Sequence, residues 1–334
     1  MKIAIYSSHF RPSIGGMEAI AEMLAEEFQR CGHEVVVLTE TTYDGKDEFP
    51  FPVMRHPSRM ALLAACRRCD VILAMPLALH SLPILLASGR PVFIRHPSPL
   101  GNDARLRPVD RLKRFVARFT NNIVQSRYMA SVVRNAVIIR NPYDDKTFFT
   151  SDMPRSTDLL FVGRLSPVKG CDTLIEAFAG VADEFPEVRL NIVGVGDFRD
   201  TLEQLVAQHE LSTRVTFMGP KRGDELAEIM RRHKVLVVPS RYHEPFGIVA
   251  LEGLGCGCLP IVSRHGGLVD AIGPHGLTFE NGDADDLERC LRRVLQEPGL
   301  SAELLQGVEG HLREHEKNPV AQRYLDVLSE RVKQ

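Results

Sequence analysis

The 334-residue sequence has no apolar run approaching the length of about 20 residues that spans a bilayer, which excludes a membrane-spanning helix. Its opening, MKIAIYSSHFRP, lacks the apolar core and small-residue cleavage site of a signal peptide, so a cytoplasmic protein is expected. Low-complexity tracts are absent and the apolar and charged fractions, 44% and 25%, are those of a globular protein rather than a disordered one. The seven cysteines are scattered and odd in number, which argues against a disulfide framework. Cys66 and Cys69 have metal or redox spacing, but no second Cys/His pair follows at zinc-site distance, so the cysteines read as packing residues. No G-x-G-x-x-G dinucleotide fingerprint is present.

What is present is an alternation of strands and helices in two rounds. The chain exceeds the usual size of a single core, so two domains of about 150 residues are expected. KIAIYSS, a Gly15-Gly16 loop, the amphipathic MEAIAEMLAEEFQRCG and the continuous apolar run EVVVLTE read as strand, loop, helix and buried strand. DVILAM, PVFIRH, NNIVQS and AVIIRN continue the series. A Pro-, Asp-, Ser- and Thr-rich stretch, residues 141–158, then separates the halves, and LLFVGRL, RLNIVGVG, RVTFMG and VLVVPS restart the pattern. The fold class expected is α/β, with two Rossmann-like, doubly wound parallel-sheet domains over residues 1–145 and 146–317. Residues 1–150 carry 20 Lys and Arg against 14 Asp and Glu, whereas the remainder carries 21 against 29, so the first half is the basic one.

Ligands of such sheets sit at the carboxyl ends of strands, so the loops there hold the candidate chemistry. Gly15 and Gly16 could admit an anionic group to the helix amides or serve only a turn. In GRLSPVKG, Arg164 and Lys169 could clamp a diphosphate or be solvated loop cations. HEPFGIVALEGLG poses a sharper question, because Glu244 and Glu252 bracket an apolar run instead of lining a solvated face. With Pro245 in the first helical turn, the amides of Phe246, Gly247, Ile248 and Val249 would offer a phosphate site. A wholly helical Glu244-to-Glu252 segment would rise about 12 Å, comparable to the reach from a sugar across a diphosphate to a ribose. Otherwise Glu244 is a helix N-terminal charge and Glu252 a buried ion-pair partner.

These segments together, GGME…LAEEFQRCGHEVVVLT, LLFVGRLSPVKGCDTLIEAF, LNIVGVGD, VTFMG and HEPFGIVALEGLGCGCLPIVSRHGG, resemble the retaining glycosyltransferases of the GT-B fold, family 4, also called glycosyl transferases group 1. The resemblance implies two domains facing across a cleft, the first on the acceptor side and the second holding a nucleotide-sugar donor, UDP- or GDP-linked. A terminal helix over 318–334 would cross back to the first domain. Arg164 and Lys169 would bind the diphosphate, Glu252 the ribose hydroxyls and Glu244 those of the transferred sugar. Amides from Phe246 to Val249, with Gly15, Gly16 and Gly194, would complete the donor site, and His96, closing VFIRH, would lie near the sugar's reactive face or be an ordinary loop residue. The reaction implied is metal-independent hexosyl transfer with retention, needing no cofactor, to a glycan or lipid-linked acceptor in cell-envelope or polysaccharide synthesis. A nucleotide-sugar epimerase, a natural-product glycosyltransferase and a binding protein without turnover remain as alternatives. The family's usual Asn-Gly junction reads Asn141-Pro142 here, and the first domain is short.

RLRPVDRLKRFVARF, residues 105–119, holds six basic residues and one acid. With Leu112, Phe115, Val116 and Phe119 on one face, it could lie peripherally on an anionic membrane, hold a phosphorylated acceptor, or pack as an amphipathic helix on its own domain. Nucleic acid is not expected as a partner, since no recognised module or aromatic interleaving accompanies the charge.

Overall fold

The computed structural model describes residues 1–13, 16–101 and 107–332. The chain forms two compact units, Met1–Pro142 with Lys317–Gln334, and Tyr143–Glu316. In the first, seven strands lie in the order β3-β2-β1-β4-β5-β6-β7. They are β1 (Lys2–Ser7), β2 (Glu34–Thr39), β3 (Val53–Arg55), β4 (Val71–Met75), β5 (Val92–Arg95), β6 (Asn121–Val124) and β7 (Ala136–Ile138). In the second, β8 (Ser156–Val162), β9 (Leu190–Val193), β10 (Val215–Gly219), β11 (His233–Val238), β12 (Leu259–Ser263) and β13 (Leu277–Phe279) lie in the order β10-β9-β8-β11-β12-β13. Every pairing is parallel. The strand order reverses between β1 and β4 and between β8 and β11, which are the switch points where a doubly wound sheet opens a crevice.

The continuous apolar runs become central strands because helices cover both faces. All five residues of β4 are buried, and Leu159, Leu160, Val237 and Ile261 are fully inaccessible in the second sheet. The helix Cys171–Ala182 buries Leu174, Ile175, Phe178 and Val181 on one side of that sheet, and Ile248–Gly255 buries Ala250, Leu251 and Leu254 in a separate cluster on the other. The edge strand β3 was not apparent in the sequence, since three residues are too few to show a period.

The boundary falls at Pro142 and Tyr143, a few residues before the expected 145, and the return at Lys317. The physical reason is packing on each side of the junction. Asn141 is buried in the first unit and accepts a 2.6 Å hydrogen bond from Arg95 Nη2, whereas Tyr143 and Phe148 enter the core of the second. The terminal helix Lys317–Val332 buries Val320, Ala321, Tyr324, Leu325 and Leu328 in the first unit, with Tyr324 6.5 Å from the Phe28 ring and accepting a hydrogen bond from Arg95 Nε. The seven cysteines are all free; burial pushes the Cys66 thiol up to about 12 and raises Cys69, as inert packing groups require.

Candidate active site

The loops after β8 and β11 flank the switch point of the second sheet and are tied together by backbone. Val168 carbonyl accepts from the amides of Arg241 and Tyr242 at 2.9 and 3.1 Å. Arg241 locks the tie from the other loop, with its guanidinium 2.8 Å from Asp172 Oδ2 and donating to Thr173 Oγ1 at 2.7 Å. Gly170, at φ 68°, is required here, because a Cβ would stand 1.9 Å from the Pro239 carbonyl oxygen. The sequence thereby brings together two side chains 75 residues apart: Lys169 Nζ lies 2.5 Å from Glu244 Oε1.

Glu244 is held from three sides. Ser240 Oγ donates to the same carboxylate oxygen at 2.9 Å, and the Gly267 amide donates to the Glu244 carbonyl at 2.6 Å. A Cβ at Gly266 would come within 2.7 Å of the Glu244 backbone, so the two glycines after β12 permit this approach. Ser240 belongs to this cluster although the sequence did not reveal it; it is an ordinary serine turned inward, with Ser263 Oγ donating to its carbonyl at 2.7 Å.

The expected helix start needs correction. Residues 239–247 are loop, and the helix begins at Ile248 with Gly247 as its cap in a left-handed conformation, φ 106°. Pro245 therefore precedes the helix instead of opening it, and the 12 Å helical rise between the glutamates does not apply. The Phe246 side chain is 2% exposed and sits 5.5 Å from the His315 ring, so only its backbone, the part expected to meet a ligand, is available to one. Ile248 and Val249 stand in the first turn, where amides have no carbonyl one turn back within the helix. Glu252 follows one turn in. Burial, with Asp144 adding to it, pushes its carboxyl up to about 7, so it exists as a mixture of acid and carboxylate near neutrality.

Arg164 is exposed and, among the described residues, forms no ion pair, whereas Lys169 is partly covered. Gly194, at φ 154°, ends β9 where a Cβ would meet the Gly163 carbonyl at 1.9 Å; its amide donates to the Gly219 carbonyl at 3.0 Å. It holds the loops after β8, β9 and β10 close. No group of three His, Cys, Asp or Glu among the described residues is arranged to hold a metal ion.

The remaining sequence candidates belong to the first unit. Gly15 lies outside the described residues; Gly16 opens the helix Gly16–Arg30, and a Cβ there would meet nothing within 4 Å. His96 follows β5, but its ring is 1% exposed rather than presented on a loop. Its Nε2 lies 2.8 Å from Asn122 Oδ1, its Nδ1 has no partner among the described residues, and burial lowers its pKa to about 4, so the ring is neutral at pH 7. A cluster not foreseen lies at the carboxyl ends of β1 and β2: Tyr6 donates to Glu40, which also meets His80. Against the penalty of burial, those two bonds hold the Glu40 carboxyl below its usual range.

Residues 145–308 match the family described as "Glycosyl transferases group 1". D-inositol 3-phosphate glycosyltransferase of Rhodococcus jostii (strain RHA1) is 33% identical over 184 residues, covering 51% of this chain and 40% of that protein. The chain thus spans about two fifths of the length of this and similar curated relatives. Two solved structures superimpose over nearly the whole chain. Anabaena Alr3699/HepE in complex with UDP has a TM-score of 0.84 at 19% identity, covering 99% of this chain and 100% of that one. Sucrose-phosphate synthase from Thermosynechococcus elongatus has a TM-score of 0.77 at 21% identity, covering 98% of each. The fold, two Rossmann-like parallel-sheet domains, is that of GT-B glycosyltransferase structures.

Proposed function

Taking residues 145–308 as a glycosyl transferases group 1 domain, we propose that the protein is a retaining glycosyltransferase using a nucleoside diphosphate sugar. The observation that carries this reading is the convergence of Lys169, Glu244 and the Gly247-led helix start at one switch point, with Glu252 one turn further on. Arg164 and Lys169 bind the diphosphate, and the amides of Ile248 and Val249 receive a phosphate oxygen at the positive helix end. Glu244 accepts hydrogen bonds from hydroxyls of the transferred sugar, and Glu252 accepts them from the ribose. HepE was captured with UDP, which favours a uridine donor over a guanosine one.

In the reaction, the bond from the anomeric carbon to the β-phosphate oxygen breaks while the acceptor oxygen bonds to that carbon on the same face. The acceptor proton passes to the departing phosphate. Charge gathers on the phosphate oxygens, and Arg164, Lys169 and the helix amides stabilise it from fixed positions. The acceptor we assign is a glycan or lipid-linked saccharide of cell-envelope or polysaccharide synthesis.

The test is transfer from UDP-glucose, UDP-N-acetylglucosamine or GDP-mannose to an acceptor panel in the presence of EDTA, with product configuration read by NMR. Retained configuration and loss of turnover in Glu244→Ala are expected. Interconversion of the sugar nucleotide without an acceptor would replace this reading by an epimerase.

A further inference from the structure

The helix Pro108–Ala117 in the first unit is built with its apolar stripe outward. Val109, Leu112 and, just past the helix, Phe119 lie on one face with Phe115 beside them, while Val116 at the border of that face is partly buried and packs against the core of the first unit. Packing would bury such a face, yet Val109 is 40% exposed, Leu112 50%, Phe115 55% and Phe119 76%. The side turned inward instead carries Asp110 and Ala117, both buried. Arg114 fastens that inward side, donating from Nε to the Leu100 carbonyl at 2.8 Å. Phe115 and Phe119 pack edge to face with centroids 5.2 Å apart, making a single aromatic ridge on the surface.

Among the described residues of this segment, the uncompensated charge has one sign. Asp110, the one acid of the segment, is buried and bonded to Arg107, which leaves Arg111, Lys113 and Arg118 without a carboxylate partner among the described residues. Arg111 and the C-cap Arg118 lie along one border of the stripe, about two helical turns apart. An apolar ridge flanked by uncompensated cations is complementary to one surface in particular, a bilayer with anionic headgroups, where the ridge enters the acyl boundary and the guanidiniums meet phosphates. A protein partner would need a matching acidic rim around a hydrophobic pocket; a bilayer supplies both everywhere.

We infer that the outward face of this helix docks the first unit on an anionic membrane, through Leu112, Phe115 and Phe119 with Arg111 and Arg118. This contact stands independently of sugar transfer, although it would bring a lipid-linked acceptor to the unit assigned to receive it. It is reversible, because one short helix and a few cations give weak partitioning.

Vesicle flotation tests it with the full chain. Vesicles of phosphatidylglycerol and phosphatidylcholine should retain the protein at low salt and release it as salt rises, while pure phosphatidylcholine should not. The variant L112N/F115S/F119S should lose flotation, and R111Q/R118Q should weaken partitioning by about 10- to 30-fold, at about fivefold per cation. Because these side chains are exposed, both variants should melt at the wild-type temperature, which separates lost docking from lost fold. The chain has no tryptophan, so F119W gives a single reporter whose emission should shift to the blue on anionic vesicles. Failure of the wild type to float, undiminished flotation of the triple variant, or a dimer in solution that the triple variant dissolves would overturn the inference.

Discussion

Lys169 and Glu244 form an ion pair, Nζ to Oε1 2.5 Å, between loops that leave neighbouring strands of one sheet. In the donor site proposed here the pair is a spacer as well as a clamp. Lys169 compensates the carboxylate before a ligand arrives, and the two groups then divide the work between phosphate and sugar. Lys169→Ala should weaken nucleoside diphosphate affinity by about 10- to 100-fold, the worth of one hydrogen bond to a charged group. Calorimetry with UDP and GDP checks this; unchanged affinity for both would remove Lys169 from the diphosphate site.

Glu244→Gln separates the two roles. The amide still meets Ser240 but no longer offers a charge to the sugar, so kcat/KM for transfer should fall by about 10- to 100-fold while affinity for the free diphosphate changes little. Equal losses in both would mean that Glu244 acts only by holding Lys169.

Glu252 predicts a pH dependence with a definite sign. Its folded pKa of about 7 exceeds the ordinary carboxyl value of 4.5, so the unfolded chain releases this proton first as pH rises. Its contribution to stability is therefore fully present below about pH 4.5 and is lost as pH rises through about 7. Glu252→Gln should flatten the melting-temperature profile over that window. If the ribose hydroxyls donate to the carboxylate, nucleotide binding near pH 7 should release protons, read as a dependence of binding enthalpy on buffer ionisation. Uptake of protons would contradict the assigned contact.

Gly194→Ala tests the backbone alone. The added Cβ would stand 1.9 Å from the Gly163 carbonyl oxygen at a φ that L-residues avoid. A destabilisation of about 2–3 kcal/mol is expected. A melting scan together with nucleotide binding checks it, since both should fall although no functional group is removed.

His96 should stay neutral to far lower pH than an exposed imidazole. Its folded pKa, about 4, lies below the ordinary 6.5, so its contribution to stability is present above about 6.5 and lost as pH falls through about 4. The His96 ring resonances in an NMR titration should show no midpoint near 6.5.

Much of the fold was legible because a parallel sheet covered on both faces writes itself as separate apolar runs, and EVVVLT, VILAM and VLVV could be little else. The candidate site was legible where it follows those runs, as with Lys169 and Glu244. Features set by tertiary contact were not. Ser240 has no local signature, the helix start at Ile248 depends on Gly247 turning left-handed against Leu268, and His96 became an interior residue only once β6 supplied Asn122. The outward stripe of Pro108–Ala117 shows the limit most plainly: periodicity marks an apolar face, but the neighbours decide whether it is covered.

The central claim is that the switch point of the second unit holds a nucleoside diphosphate sugar between Lys169, Glu244 and Glu252. Its most direct test is a calorimetric titration of the metal-free protein, and of Lys169→Ala beside it, against UDP, GDP, ADP and their sugar conjugates. Selective binding of one nucleotide and its sugar conjugate, with affinity reduced at least tenfold in the variant, is the result predicted. Absence of binding to every one of them, or equal binding by the variant, would contradict the assignment of the site.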